Sequence, residues 1–197
     1  MGTLMKRSGR IINMEKIMIC YNLAQEADTF AMKPKKNVMK NYPNVIVPKH
    51  GRGYFGIGIY GPKMTKNIGT LWRTADIFGA DFMFTIGKRY ETMRSDKRKS
   101  WRHIPLFEYE DFNGFRSSLP KDSRLVGIEL DEHSQPLMIY NHPERAVYLL
   151  GAEDFGLPED VIASCDDIIQ LPGDYSLNVS VAGSVVIYDR LLKRGCI

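Results

Sequence analysis

Ile168-Ile169-Gln170-Leu171-Pro172-Gly173-Asp174-Tyr175-Ser176-Leu177-Asn178-Val179-Ser180-Val181-Ala182-Gly183-Ser184 passes from an apolar run, through a proline-glycine break, into a helical pattern. A strand is expected to end at Pro172, and either Ser176 or Asn178 caps the incoming helix by accepting its free amide protons. The small residues Ser180, Ala182, Gly183 and Ser184 let another backbone come close, within the domain or across a pair of copies. The same change from strand to loop to helix occurs upstream at Leu149-Leu150-Gly151-Ala152-Glu153-Asp154-Phe155-Gly156-Leu157-Pro158. Gly151 and Gly156 permit tight turning there, and Glu153 either accepts hydrogen bonds from a ligand or shapes the turn.

Working outward, apolar runs at 55–60, 82–86, 125–130, 146–150 and 167–171 predict strands. Residues 67–78, 111–119, 158–165 and 178 to about 193 predict helices. Strands alternating with helices imply an α/β domain built on a largely parallel sheet. Ligands of such sheets bind beyond the carboxyl ends of the strands, so the loops after Leu150 and Leu171 are where chemistry is expected. The helix over 67–78 places Ile68, Leu71, Trp72, Ala75 and Phe78 on one stripe, with Gly79 as its stop. Arg73 falls opposite that stripe; it is either a solvated surface arginine or a guanidinium free to reach a ligand, a phosphate or a second subunit.

Residues 1–50 read as a basic extension, with Lys33-Pro34-Lys35-Lys36 and further prolines at Pro43 and Pro48, ahead of a domain over 51–197. The chain has 197 residues and a net charge of +4. Between Lys88 and His103, seven cations (Lys88, Arg89, Arg94, Lys97, Arg98, Lys99, Arg102) stand against two anions, a local excess larger than that of the whole chain. With Tyr90 and Trp101 interleaved, the stretch suits phosphate contact and base stacking, or else is a solvated charge run. The three cysteines, Cys20, Cys165 and Cys196, have no metal-ligand spacing and suggest no disulfide framework, so no metal is expected and a cytoplasmic setting is. No apolar run approaches the roughly 20 residues of a membrane helix. Gly51-Arg52-Gly53-Tyr54-Phe55-Gly56 matches G-x-G-x-x-G but precedes a strand, where a phosphate-cradling turn must follow one, so a dinucleotide site is rejected.

Three segments in order, Asn67 to Ala80, Gly151-Ala152-Glu153 with Gly156-Leu157, and Leu171-Pro172 with Ser176 to Ala182, resemble the three motifs of the SpoU (TrmH-like) family within the SPOUT class of RNA methyltransferases. The resemblance implies a C-terminal deep trefoil knot, a homodimer, and S-adenosylmethionine held largely by backbone groups at Ile128, Gly151, Leu171 and Leu177, with Ser176 and Asn178. It further implies that Asn67, Arg73, Glu153, Ser176 and Asn178 are the functional positions and that methyl transfer goes to a ribose 2′-hydroxyl. Transfer RNA is expected ahead of ribosomal RNA, since the chain has no room for a further RNA-binding domain. Only Gly173, Asp174 and Tyr175 separate Pro172 from Ser176, so the cofactor loop is tighter than in many relatives. The readings set against this one are an RNA-binding or assembly protein that keeps the fold without turnover, a base-nitrogen methyltransferase, and a nucleotide-dependent oxidoreductase resting on the rejected glycine pattern.

Overall fold

The computed structural model describes residues 51–90 and 100–197, so the expected 1–50 extension lies outside the described residues. Seven strands, β1 (Tyr54–Tyr60), β2 (Phe82–Ile86), β3 (Leu106–Tyr109), β4 (Arg124–Ile128), β5 (Gln135–Pro136), β6 (Arg145–Leu150) and β7 (Asp167–Gln170), form one sheet in the order β3-β2-β1-β6-β4-β7-β5. Every neighbouring pair is parallel, as the alternating pattern requires. Among the described residues four helices accompany them: α1 (Thr65–Ile77), α2 (Phe112–Ser117), α3 (Glu159–Ala163) and α4 (Val179–Lys193). Five strands were expected, and the two additions, β3 and β5, are edge strands. An edge strand is half wet: β3 exposes Phe107 and Glu108, and β5 is two residues long, so neither leaves an apolar run to read.

Both sheet faces are covered, and the period of two along each strand sorts side chains between them. Phe55, Ile57 and Ile59 of β1, with Tyr148 and Leu150 of β6, pack under α1 and α4 through Leu71, Trp72, Val186 and Leu191. Phe82, Phe84 and Ile86 of β2, with Val147 and Leu149 of β6, face the opposite way onto Phe115 of α2 and Val161 of α3. Phe84 and Phe115 stack with centroids 4.4 Å apart. Gly58 makes this possible from the neighbouring strand, because a Cβ there would meet the Phe84 carbonyl oxygen at 2.4 Å.

The C-terminal end of α4 is held by a buried polar network at the amino end of β6. Arg190 is fully buried and donates to the carbonyls of Arg52 (2.9 Å), Pro143 (2.6 Å) and Glu144 (2.8 Å) and to the Tyr148 hydroxyl (3.1 Å). With that hydroxyl accepting from Arg190, its own proton goes to His142 Nδ1 at 2.6 Å, leaving Nε2 to donate to Asp189 at 2.9 Å. Burial pushes the His142 pKa down to about 4, against the upward pull of Asp189. An unfolded histidine takes its proton near pH 6.5, so between there and 4 the folded state binds fewer protons than the unfolded one. Stability is therefore expected to be level above about pH 7 and to fall as pH drops through that window. Urea unfolding midpoints between pH 7.5 and 4.5 check this; a His142→Gln variant should show the flatter profile, and an equal slope in both proteins would count against it. Asp167, held below the usual carboxylate range by its hydrogen bonds from Arg124, adds its own loss only at more acidic pH.

Candidate active site

Strands β4, β6 and β7 all end at one cavity of about 300 Å³, whose walls include Ile128, Leu150, Leu171, Leu177, Val179 and Ala182. Its floor is the loop after β6. Ala152 and Gly156 exchange hydrogen bonds in both directions, at 3.0 and 2.9 Å, closing a three-residue turn over Glu153, Asp154 and Phe155. Gly156 sits at φ +64°, and Gly151 packs so tightly beneath it that a Cβ would meet the Gly156 carbonyl carbon at 2.4 Å. Glu129, just past β4, accepts from the Leu157 amide at 2.8 Å and from its own neighbour's amide at Leu130 at 3.0 Å. The loop is thus fixed at both ends before any ligand arrives.

Three distant segments meet through a directed run of hydrogen bonds. Asn178 is the cap of α4, its Oδ1 accepting from the Ser180 amide (3.0 Å) and hydroxyl (2.7 Å); Ser176 instead lines the cavity. The Asn178 amide group donates to Asn67 Oδ1 at 3.3 Å, and Asn67 Nδ2 donates to Glu153 Oε1. Asn67 is buried, whereas Glu153 is exposed and keeps its second oxygen for a ligand. Of the expected cofactor positions, Ile128, Gly151, Leu171, Leu177 and Ser176 line the cavity; Asn178 stands one layer behind it.

Arg73 is placed differently. It is exposed, does not line the cavity, and lies about 9 Å along α1 and about 120° around it from Asn67. It shares its stripe with Lys66, Thr70 and Ile77. Ser184 donates to Thr74 Oγ1 at 3.1 Å, and Phe78 meets Tyr188 with centroids 6.3 Å apart, so the flank of α1 that borders α4 is the one carrying Thr74 and Phe78, roughly a third of a turn round from Arg73. There, Val181, Val185, Tyr188 and Leu192 form an exposed apolar seam along α4.

Of the expected RNA-contacting residues, Lys88, Arg89 and Arg102 are exposed, and Lys88 Nζ donates to the Lys63 carbonyl. Arg94, Lys97, Arg98 and Lys99 lie outside the described residues, and Trp101 belongs to a short 3-10 turn, Ser100–Arg102. Tyr90, read as a stacking residue, instead packs edge-on against Trp72 with centroids 5.4 Å apart. Burial pushes the Cys165 thiol up to about 12, which removes it as a nucleophile. Sequence reasoning missed Glu129 and Tyr175 at the cavity; the signal for Glu129 was its position directly after an apolar strand, the same as that of Gly151. Among the described residues no group of acidic, histidine or cysteine side chains is arranged to hold a metal.

A wholly parallel sheet with a preformed cavity at its carboxyl edge, lined by Glu129, Glu153 and Asp154 as well as apolar side chains, defines an α/β protein with a ligand site at the strand ends. The SpoU rRNA Methylase family matches residues 55–188, and the chain belongs to that family. Over 143 residues it is 29% identical to tRNA (guanosine(18)-2'-O)-methyltransferase TARBP1 of Mus musculus, covering 66% of this chain but 9% of that protein. It is 25% identical over 150 residues to the tRNA (cytidine(34)-2'-O)-methyltransferase of Beijerinckia indica, covering 72% of this chain and 92% of the relative. The SpoU methyltransferase AviRb of Streptomyces viridochromogenes, solved in complex with AdoMet, has the same fold: the TM-score is 0.61 at 21% identity, covering 77% of this chain and 62% of that one.

Proposed function

We propose that this chain binds S-adenosylmethionine in the cavity and transfers its methyl group to a ribose 2′-hydroxyl of a structured RNA, transfer RNA ahead of ribosomal RNA. The observation that carries the reading is the hydrogen-bond run from Asn178 through Asn67 to Glu153, which ties a preformed carboxylate to the rim of a cofactor-sized cavity. The residues fit the cofactor: apolar walls suit an adenine ring, and Gly151, without a Cβ, lets the loop after β6 fold tightly enough to form the cavity floor. When bound, S-adenosylmethionine supplies an electrophilic methyl group on a sulfonium, which becomes a thioether once the methyl has left. Glu153 accepts a hydrogen bond from the attacking hydroxyl, whose proton passes to this carboxylate or to water. The two relatives described above are named for tRNA ribose methylation, which supports the substrate order, while another, 34% identical over 74 residues, is named for 23S rRNA.

The same reading makes the C-terminal segment a trefoil knot and the working form a homodimer. The α4 seam has the 4-3-4 spacing of a helix that packs on a second copy. In this reading a copy docked there carries its partner's guanidinium, on the exposed stripe of α1, to the mouth of the neighbouring cavity. That placement accounts for Arg73 being absent from the cavity wall of its own chain. An arginine stays protonated at neutral pH, so Arg73 fixes an RNA phosphate and stabilises the developing alkoxide; it does not remove the proton.

Calorimetric titration with S-adenosylmethionine and S-adenosylhomocysteine tests the reading. Micromolar binding is expected, and Gly151→Ala should weaken it roughly ten- to a hundredfold, because the new methyl must displace the Gly156 backbone. No heat from a folded wild-type protein would overturn it in favour of an RNA-binding scaffold.

A further inference from the structure

Phe155 is 83% exposed, and it is the last residue of the turn that the Ala152–Gly156 bridge closes. A large apolar ring held out in water contributes nothing to the fold, and a loop this tightly fixed does not let it fold back. The ring lines the outer rim of the cavity, and the Lys63 ammonium lies over it, 5.4 Å from its centroid, paired as well with Asp154. Glu153 and Phe155 therefore leave one rigid turn two residues apart, the first tied to the Asn67 run and the second facing solvent.

Resting on the methyltransferase reading above, we infer that Phe155 is a stacking platform for a nucleobase of the RNA strand presented to the site, with Lys63 placed for the adjoining phosphate. Two observations favour a nucleobase over the adenine of the cofactor. The ring is outside the enclosed apolar part of the cavity, where Leu150, Leu171 and Val179 already offer walls. Its lysine neighbour, half-exposed and shared with Asp154, can exchange that carboxylate for a phosphodiester oxygen, whereas it does nothing for a neutral adenine. Stacking is tolerant of base identity, so the platform selects an unpaired, splayed-out nucleotide more than a particular base. Paired nucleotides in a duplex have no free face to offer it.

The experiment compares Phe155→Ala and Phe155→Trp with the wild-type chain, using unfractionated tRNA as substrate and S-adenosylhomocysteine titration as the control for the cavity. Phe155→Ala is expected to raise the KM for RNA roughly ten- to a hundredfold with cofactor affinity unchanged, and Phe155→Trp to restore it. An alanine variant with weakened S-adenosylhomocysteine binding and an unaltered KM would place the ring on the cofactor and overturn the inference, as would a variant altered in neither. A wild-type chain that binds cofactor and methylates no RNA is the separate failure of the functional reading, and it takes the stacking role down with it.

Discussion

Arg73→Ala is expected to lower kcat for RNA methylation by roughly two to three orders of magnitude, the usual effect of removing a fixed charge that meets developing negative charge in a transition state. Affinity for S-adenosylhomocysteine should not change, because Arg73 does not line the cavity. Stability should not change either: the residue is exposed and makes no hydrogen bond or ion pair with the described residues. Arg73→Lys keeps the charge but loses the planar fork, so only part of the rate should return. Mixing gives the sharper measurement. If the guanidinium acts across two copies, an Arg73→Ala chain and a Glu153→Gln chain, each nearly inactive alone, form mixed pairs with one intact site. Free exchange of subunits then restores about a quarter of wild-type turnover. No recovery on mixing, in protein shown to exchange subunits, would assign Arg73 to the cavity of its own chain; wild-type turnover by Arg73→Ala would remove it from the chemistry altogether.

That ambiguity about Arg73 marks where reading the chain from its residues stops. The central strands were legible because both their faces are buried, leaving long apolar runs such as Phe82 to Ile86, broken only by the buried Thr85, and Arg145 to Leu150 with its single charged start. The edge strands β3 and β5 were not, since half of each lies in water. At the site, Gly151, Glu153 and Asn178 announced themselves as residues placed just after strands or just before a helix. Their connection did not: Asn67 and Glu153 are 86 residues apart in the chain, and Asn67 and Asn178 are 111 apart. Helical periodicity assigned Asn67 a position on α1 but could not say that its amide would be buried and bonded on both sides. The alternative caps, Ser176 and Asn178, were equivalent by composition; the structure separates them because only Asn178 has its carbonyl oxygen directed at the Ser180 amide.

Arg190 is the residue whose surroundings its sequence hides most completely, since Asp189-Arg190-Leu191-Leu192-Lys193-Arg194 looks like a solvated, charged helix end. It is nonetheless fully buried, and its guanidinium is wrapped by three carbonyls and the Tyr148 hydroxyl while lying 5.0 Å from the centroid of Phe55. Gly53 makes the room: at φ +69°, it sits where a Cβ would meet the Glu144 carbonyl oxygen at 2.2 Å and the guanidinium at 2.8 Å. Arg190→Met fills much of the same volume but leaves the carbonyls of Arg52, Pro143 and Glu144 without this donor. The Glu144 carbonyl keeps its hydrogen bond from the Tyr54 amide, so two acceptors are orphaned; each costs about 1–3 kcal/mol, partial access of water reduces their sum, and a loss of about 2–4 kcal/mol is expected. Urea unfolding measures it, and a Met variant as stable as the wild type would mean that the apolar contact with Phe55, and not the polar cage, holds α4 in place. Because Asn178 caps the other end of the same helix, about 18 Å away, a variant that remains folded should keep its S-adenosylhomocysteine affinity. The helix would be loosened at the end that fastens it to β6 and left intact at the end that meets the cavity.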